Sequence, residues 1–163
     1  MKKSPKLISL LAALLIGLCL HASSAWAQGN SPAQVVKNFT KAYSMLEPSM
    51  ADFLSEDALT NENDVNMVEL YLRLQENDAY NRGYKTSYLQ MKPILIKTTV
   101  LSMDDASAQI QINATTIRSI NPLYRIVGYV FCILEEHVVQ DTISLVKEDG
   151  AWKIGPGAFD LPI

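Results

Sequence analysis

The residues best suited to chemistry sit on one short run, Glu135-Glu136-His137-Val138-Val139-Gln140-Asp141. On a regular strand, side chains alternate between faces, so Glu135, His137, Val139, Asp141, Ile143 and Leu145 share one face. The three apolar members mark that face as the inner one. Two carboxylates and an imidazole lining an apolar cavity make an acid–base set. Burial disfavours the carboxylate charge, and the histidine exchanges protons near neutral pH. A plainer reading stands beside this one. A strand end or a one-residue bulge would turn the same groups to solvent, and burying three ionisable groups without partners is costly.

Tyr43 and Tyr71 fall on the inner stripes of two expected helices. Their hydroxyls suit a ligand pocket, and an amphipathic core residue with its polar tip at the rim explains them equally well. Together with His137 and Asp141 they form the candidate ligand-binding set. His137, Asp141 and Glu135 are the candidates for catalysis. Cys132 lies in the apolar run Val130-Phe131-Cys132-Ile133, which suits a buried, inert thiol. With no spaced Cys/His cluster in the chain, no metal site is expected, and no cofactor motif is present. A Gly-rich phosphate loop and a nucleophile elbow are also missing, which disfavours nucleotide hydrolysis and serine hydrolase chemistry. The Asn38-Phe39-Thr40 and Asn113-Ala114-Thr115 sequons fall on expected regular elements, where acceptors are uncommon.

These residues must be positioned by helices first and strands afterwards. Ser31 can cap a helix that opens with Pro32, and Gln34 occupies the third position of a capping box. Val35, Val36, Phe39, Ala42, Tyr43 and Leu46 recur at helical spacing, predicting a helix from Pro32 to Leu46. Pro48 ends it and starts a short one with Met50, Phe53 and Leu54 on a face. Residues 55–64 are expected to connect to a long helix over 64–82, with Val65, Val68, Tyr71, Leu72 and Ala79 along one stripe. Met67, Leu70 and Leu74 widen the stripe, predicting a helix embraced by other structure. Glu69 and Arg73 are spaced for an ion pair, and Gly83 suits the left-handed residue past the end. Tyr80, Tyr84 and Tyr88 cluster between this helix and the sheet.

Beyond Tyr84 the pattern becomes β-branched. Residues 94–102 and 107–120 flank the polar turn Met103-Asp104-Asp105-Ala106, predicting a hairpin. In its second strand Ala108, Ile110, Ile112 and Ala114 alternate with polar residues, so one face is buried and the other wet. Asn121-Pro122 is a break, and the Tyr, Val, Ile and Phe content of 122–134 favours a strand. That segment is a candidate for an added strand, a cover over the cavity mouth, or a surface for self-association. Residues 136–147 alternate again, and Glu148-Asp149-Gly150 turns the chain into a last strand, Ala151-Trp152-Lys153-Ile154.

The first 27 of the 163 residues read as a secretory signal peptide. Lys2, Lys3 and Lys6 precede an apolar run from Leu7 to Leu20, and Ala25-Trp26-Ala27 offers small residues for cleavage. The run is too short to span a bilayer, and Leu18 before Cys19 argues against a lipid anchor. The expected location is therefore a bacterial periplasm or the cell exterior, with no membrane span after cleavage. Residues 28–163 form a single domain. They hold 11 basic and 17 acidic residues, a net charge of −6. With no basic stripe, nucleic acid is disfavoured as a partner.

The order of helices then long antiparallel strands, closing on Leu145-Val146-Lys147-Glu148-Asp149-Gly150-Ala151-Trp152-Lys153-Ile154, resembles the NTF2-like superfamily. The opening Ser31 to Ser55 is also similar to the first helices of its secreted members of unassigned function. The resemblance implies an α+β fold, a cystatin/NTF2-like cone with N-terminal helices on the concave face of a curved antiparallel sheet. It also implies an apolar cavity open at one end. Such folds serve enzymes, transport proteins and assembly proteins, so fold alone does not choose among them. The chain matches none of the enzymes' local acid–base patterns. The leading expectation is a non-enzymatic domain binding a small apolar or amphipathic ligand or an envelope protein. The alternatives are a proton-transfer isomerase or dehydratase using His137 with a cavity carboxylate, and a homodimeric structural or assembly subunit. Dimerisation by sheet packing is common in the family, so a homodimer is expected.

Overall fold

The computed structural model describes residues 30–118, 126–128, 130–131 and 135–161. The leader assigned to residues 1–27 and the thiol of Cys132 lie outside them. Helix α1 spans Pro32–Ser44, and Ser31 caps it by accepting a hydrogen bond from the Gln34 amide. The Gln34 side chain donates to Asn38 rather than returning to the cap, so the expected capping box is half formed. A 3-10 turn over Pro48–Phe53 follows. The expected connection at residues 55–64 contains a further element, the short helix α2 (Glu56–Leu59), capped by the Ser55 hydroxyl.

Helix α3 spans Met67–Asn81, and the Asn66 side chain accepts from the amides of Val68 and Glu69. Gly83, at φ +73°, ends it as expected. Two expectations for α3 are corrected. Only Val68 and Ala79 are buried, and Leu74 is 56% exposed, so the helix is not embraced. Its neighbours are principally α2 and two 3-10 turns, Pro48–Phe53 and Thr86–Tyr88, while α1 occupies the sheet. The Glu69–Arg73 ion pair does not form; Arg82 instead holds Asp78 at 2.9 Å, also four residues apart.

The sheet is an antiparallel meander of β1 (Met91–Met103), β2 (Ser107–Arg118), β3 (Glu136–Glu148) and β4 (Ala151–Ile154), in that spatial order. Helices followed by a four-stranded antiparallel sheet make the expected α+β arrangement. Ala108, Ile110, Ile112 and Ala114 of β2 are all buried, and β3 adds Val139, Ile143 and Leu145 to the same inner face. Phe39 and Val36 of α1, Met50 and Ile154 complete a core in which each fully buried large side chain contributes about 1.5–3 kcal/mol.

Each end of the meander is fixed locally. Asp104 closes the β1–β2 turn by accepting from the amides of Ala106 and Ser107 and from the Ser107 hydroxyl. Asp149 and Gly150, both at positive φ, form the β3–β4 turn. The outer edge of β4 is covered by the chain entering α2. There the Ser55 amide donates to the Ile154 carbonyl, and the Lys153 ammonium donates to the Asp52 carbonyl.

The strand expected over 122–134 is corrected where the chain is described. Residues 126–128 and 130 are helical, and the Phe131 amide donates to the Val127 carbonyl four residues back. β-branched content is a weak guide to conformation when no second strand supplies cross-strand packing. No helix among the described residues is long and apolar enough to cross a membrane.

Candidate functional site

Strand β3 pairs with β2 without a register shift, so its alternation is regular. Val139, Ile143 and Leu145 are buried, and the inner face carries His137 and Asp141 as the sequence spacing requires. The face is shared, but the environment is not. Asp141 is half-buried opposite Ile112, and its carboxylate accepts from the Thr142 amide at 2.7 Å. His137 is exposed at the start of the strand, opposite Thr116, and Glu135 is exposed just before it. Four residues of extended chain separate the backbones of His137 and Asp141 by about 13 Å.

The two groups also line different hollows. Asp141 faces a space of about 160 Å³ with Asp160, Gly155 and Gly157. His137 faces one of about 260 Å³ with Gln75 and Asp78 of α3, Arg118 of β2, Leu89 and Met91. The carboxylate that shares a cavity with His137 is therefore Asp78, already paired with Arg82. Arg118 is held in turn, lying 4.6 Å above the Tyr88 ring, which packs on Tyr84. All three tyrosines of the expected cluster are exposed, Tyr80 most of all at 81%, and the ring contact at this rim is between Tyr84 and Tyr88.

Tyr43 and Tyr71 come together, their ring centroids 4.8 Å apart and their planes within 17°. Phe39 lies on the other side of Tyr43, and Phe159 tilts against both tyrosines. The Tyr43 hydroxyl donates to the carbonyls of Phe159 and Leu161, at 3.2 and 3.4 Å. Burial holds the Tyr43 phenol far above its ordinary pKa, and the neighbouring Tyr71 hydroxyl and Asp160 carboxylate push the same way. Burial also raises Tyr71. The pair pins the C-terminal segment to α1, and neither tyrosine lines the hollows of His137 or Asp141.

An apolar groove of about 510 Å³ lies elsewhere, between α1 and the start of β1. Lys37 and Lys41 of α1 and Met45 at its C-cap, four residues apart, form one wall beside the helix's buried stripe. The other wall is β1 from Lys92 to Ile96. A register shift between Pro93 and Leu95 inserts Ile94 as an extra residue, and Ile94 and Leu95 are then about half exposed at 49% and 48%. A bulge interrupts alternation and re-aims side chains, which is how consecutive apolar residues come to line an open surface. The sequence carried one signal of this: Ile94-Leu95-Ile96 is an unbroken apolar run on a strand whose partner alternates.

A second open cleft, of about 520 Å³, lies under α3 and is lined by Glu69, Arg73 and Glu76 with Leu72. Its mixed charges make it the more polar of the two. Among the described residues, no group of three or more His, Cys, Asp and Glu side chains is gathered as a metal site.

No family model matches the chain, and no curated protein matches it. Among solved structures it is similar to an NTF-2 like protein of unknown function from Shewanella oneidensis MR-1. The two are 12% identical, with 74% of this chain and 88% of that chain covered and a TM-score of 0.41.

Proposed function

We propose that this protein is a non-enzymatic binding domain, exported by its leader, that takes a small amphipathic molecule in the groove between α1 and β1. The observation carrying the reading is the groove itself. Its volume of about 510 Å³ falls in the range of small-molecule sites, and Met45, Pro93, Leu95 and Ile96 supply apolar walls beside a few polar groups. The separation of His137 from Asp141 supports binding over proton transfer. Native mass spectrometry of the mature protein, gently purified from its own compartment and repeated after solvent extraction, tests the reading. An extractable small-molecule adduct that is lost in Leu95→Asp is expected. Leu95 is half exposed, so the charge is tolerated by the fold and disrupts only the groove. An adduct retained in Leu95→Asp would place the ligand elsewhere.

A self-associating assembly subunit is the second reading, favoured by the helical turn near residue 130. Ile126, Val130 and Phe131 are 63%, 70% and 68% exposed there, an apolar patch. Sedimentation equilibrium of wild type and Phe131→Asp distinguishes it: a dimer lost in the variant is expected, and a monomer at high concentration removes the reading.

A further inference from the structure

We infer that the α1–β1 groove selects a single-chain anionic amphiphile, the anion held at its lysines and the tail on its apolar walls. This rests on the binding reading above and adds the charge of the ligand. Three ammonium groups line the groove, Lys37 and Lys41 from α1 and Lys92 from β1, against one carboxylate, Glu47, so the lining carries a net charge of +2. The domain around it carries −6 over residues 28–163. The groove is thus a local inversion of the chain's own charge.

None of the three lysines forms an ion pair among the described residues, where Arg82 with Asp78 is the salt bridge present. Glu47 is engaged separately, accepting from the Ser49 hydroxyl at 3.4 Å. Lys37 and Lys41 sit at i and i+4, where like charges disfavour a helix unless an anion joins them. Their spacing of one helical turn lets both ammonium groups reach one carboxylate or phosphate monoester. Lys37 is half-buried, and a lysine in that setting lays its methylenes along apolar surface with its charge at the rim. The apolar stretch that such a head group would leave for a tail runs over Met45, Leu95 and Ile96. Long-range repulsion from the acidic body is screened within about 8 Å at physiological salt, so the nearby lysines decide the sign.

Isothermal titration of the mature protein with dodecanoate, dodecanol and dodecyltrimethylammonium tests the inference at fixed chain length. Dodecanoate is expected to bind about tenfold more tightly than dodecanol, with the cation weakest. In the Lys37→Gln/Lys41→Gln double variant the carboxylate preference is expected to fall to about unity while dodecanol binding holds. Both lysines are solvent-reaching side chains, so the variant folds. Equal binding of all three amphiphiles would overturn the charge selection and leave the groove reading standing. No binding of any of them would overturn both. Sedimentation with phosphatidylglycerol vesicles, without binding of free dodecanoate, would replace the free amphiphile by a lipid surface and overturn the inference as stated.

Discussion

Replacing Tyr43 by Phe separates a structural hydroxyl from a ligand-binding one through the pH dependence of stability. The hydroxyl donates to the Phe159 and Leu161 carbonyls from a site 2% exposed. Its removal takes away the one hydrogen that the buried Leu161 and part-buried Phe159 carbonyls share, while the ring keeps its stack on Tyr71, which costs about 1–2 kcal/mol at neutral pH. Above about pH 10 the sign turns. The folded-state pKa is raised, so the stabilisation from the neutral phenol is complete below the unfolded pKa and is lost as pH rises beyond it. One pH unit above that value, wild type has lost about 1.4 kcal/mol through Tyr43 that the phenylalanine variant cannot lose. The deficit of Tyr43→Phe is therefore expected to shrink from about 1–2 kcal/mol at pH 7 to nearly nothing at about pH 11. Urea unfolding of both proteins across that range measures it, and phenolate absorbance of the native protein counts the tyrosines that resist titration. A deficit that stays constant with pH, or seven tyrosines all ionising near pH 10 in the native state, would show that Tyr43 is not sealed in the core.

Gly150→Ala places a Cβ at φ +82° in the β3–β4 turn, where nothing obstructs it but the backbone conformation disfavours it. A loss of about 1–2 kcal/mol in urea unfolding is expected, without change in binding. Asp104 accepts three hydrogen bonds at the β1–β2 turn, and they hold its carboxyl below the usual range. Its contribution is present above the unfolded pKa and is lost as pH falls through the folded one. Asp104→Asn should therefore remove part of the acid sensitivity below about pH 4, checked by thermal melts on either side of it. His137→Gln alters an exposed side chain, so stability should stay within about 0.5 kcal/mol and amphiphile binding should be unchanged. Loss of binding in that variant, measured by the same titration, would move the site to the Asp78–Arg118 hollow.

What the sequence disclosed and what it hid divide along a physical line. The inner face of β3 was legible from Val139, Ile143 and Leu145, because period-two alternation has one solution once a face is buried. The turn at Asp149-Gly150 was legible because few residue types tolerate its positive φ, and the turn at Asp104 because an aspartate accepts from the amides two and three residues on. The surroundings of α3 were not. Met67, Leu70 and Leu74 widen its apolar stripe, but whether that stripe meets the sheet depends on which helix occupies the inner face. Here α1 takes it with Val36, Phe39 and Tyr43. A hydrophobic stripe states that a helix gains from a neighbour, without naming the neighbour or its extent.

The candidate site follows the same division. His137 and Asp141 were correctly assigned to one face, yet sharing a face on an extended strand fixes direction and leaves separation growing by about 3.3 Å per residue. Chemistry needs atoms within hydrogen-bond reach, and the groups that approach His137 come from α3 and β2, about sixty and about twenty positions away in the chain. The groove is hidden for a different reason. It exists because the register shift at Ile94 exposes two successive apolar residues beside an α1 flank that carries Lys37 and Lys41. A bulge leaves almost no mark on composition, since the inserted residue is an ordinary isoleucine. Restoring regular pairing by deleting Ile94 should return Leu95 to strict alternation and close that wall, so the groove and the bulge are one feature of the fold.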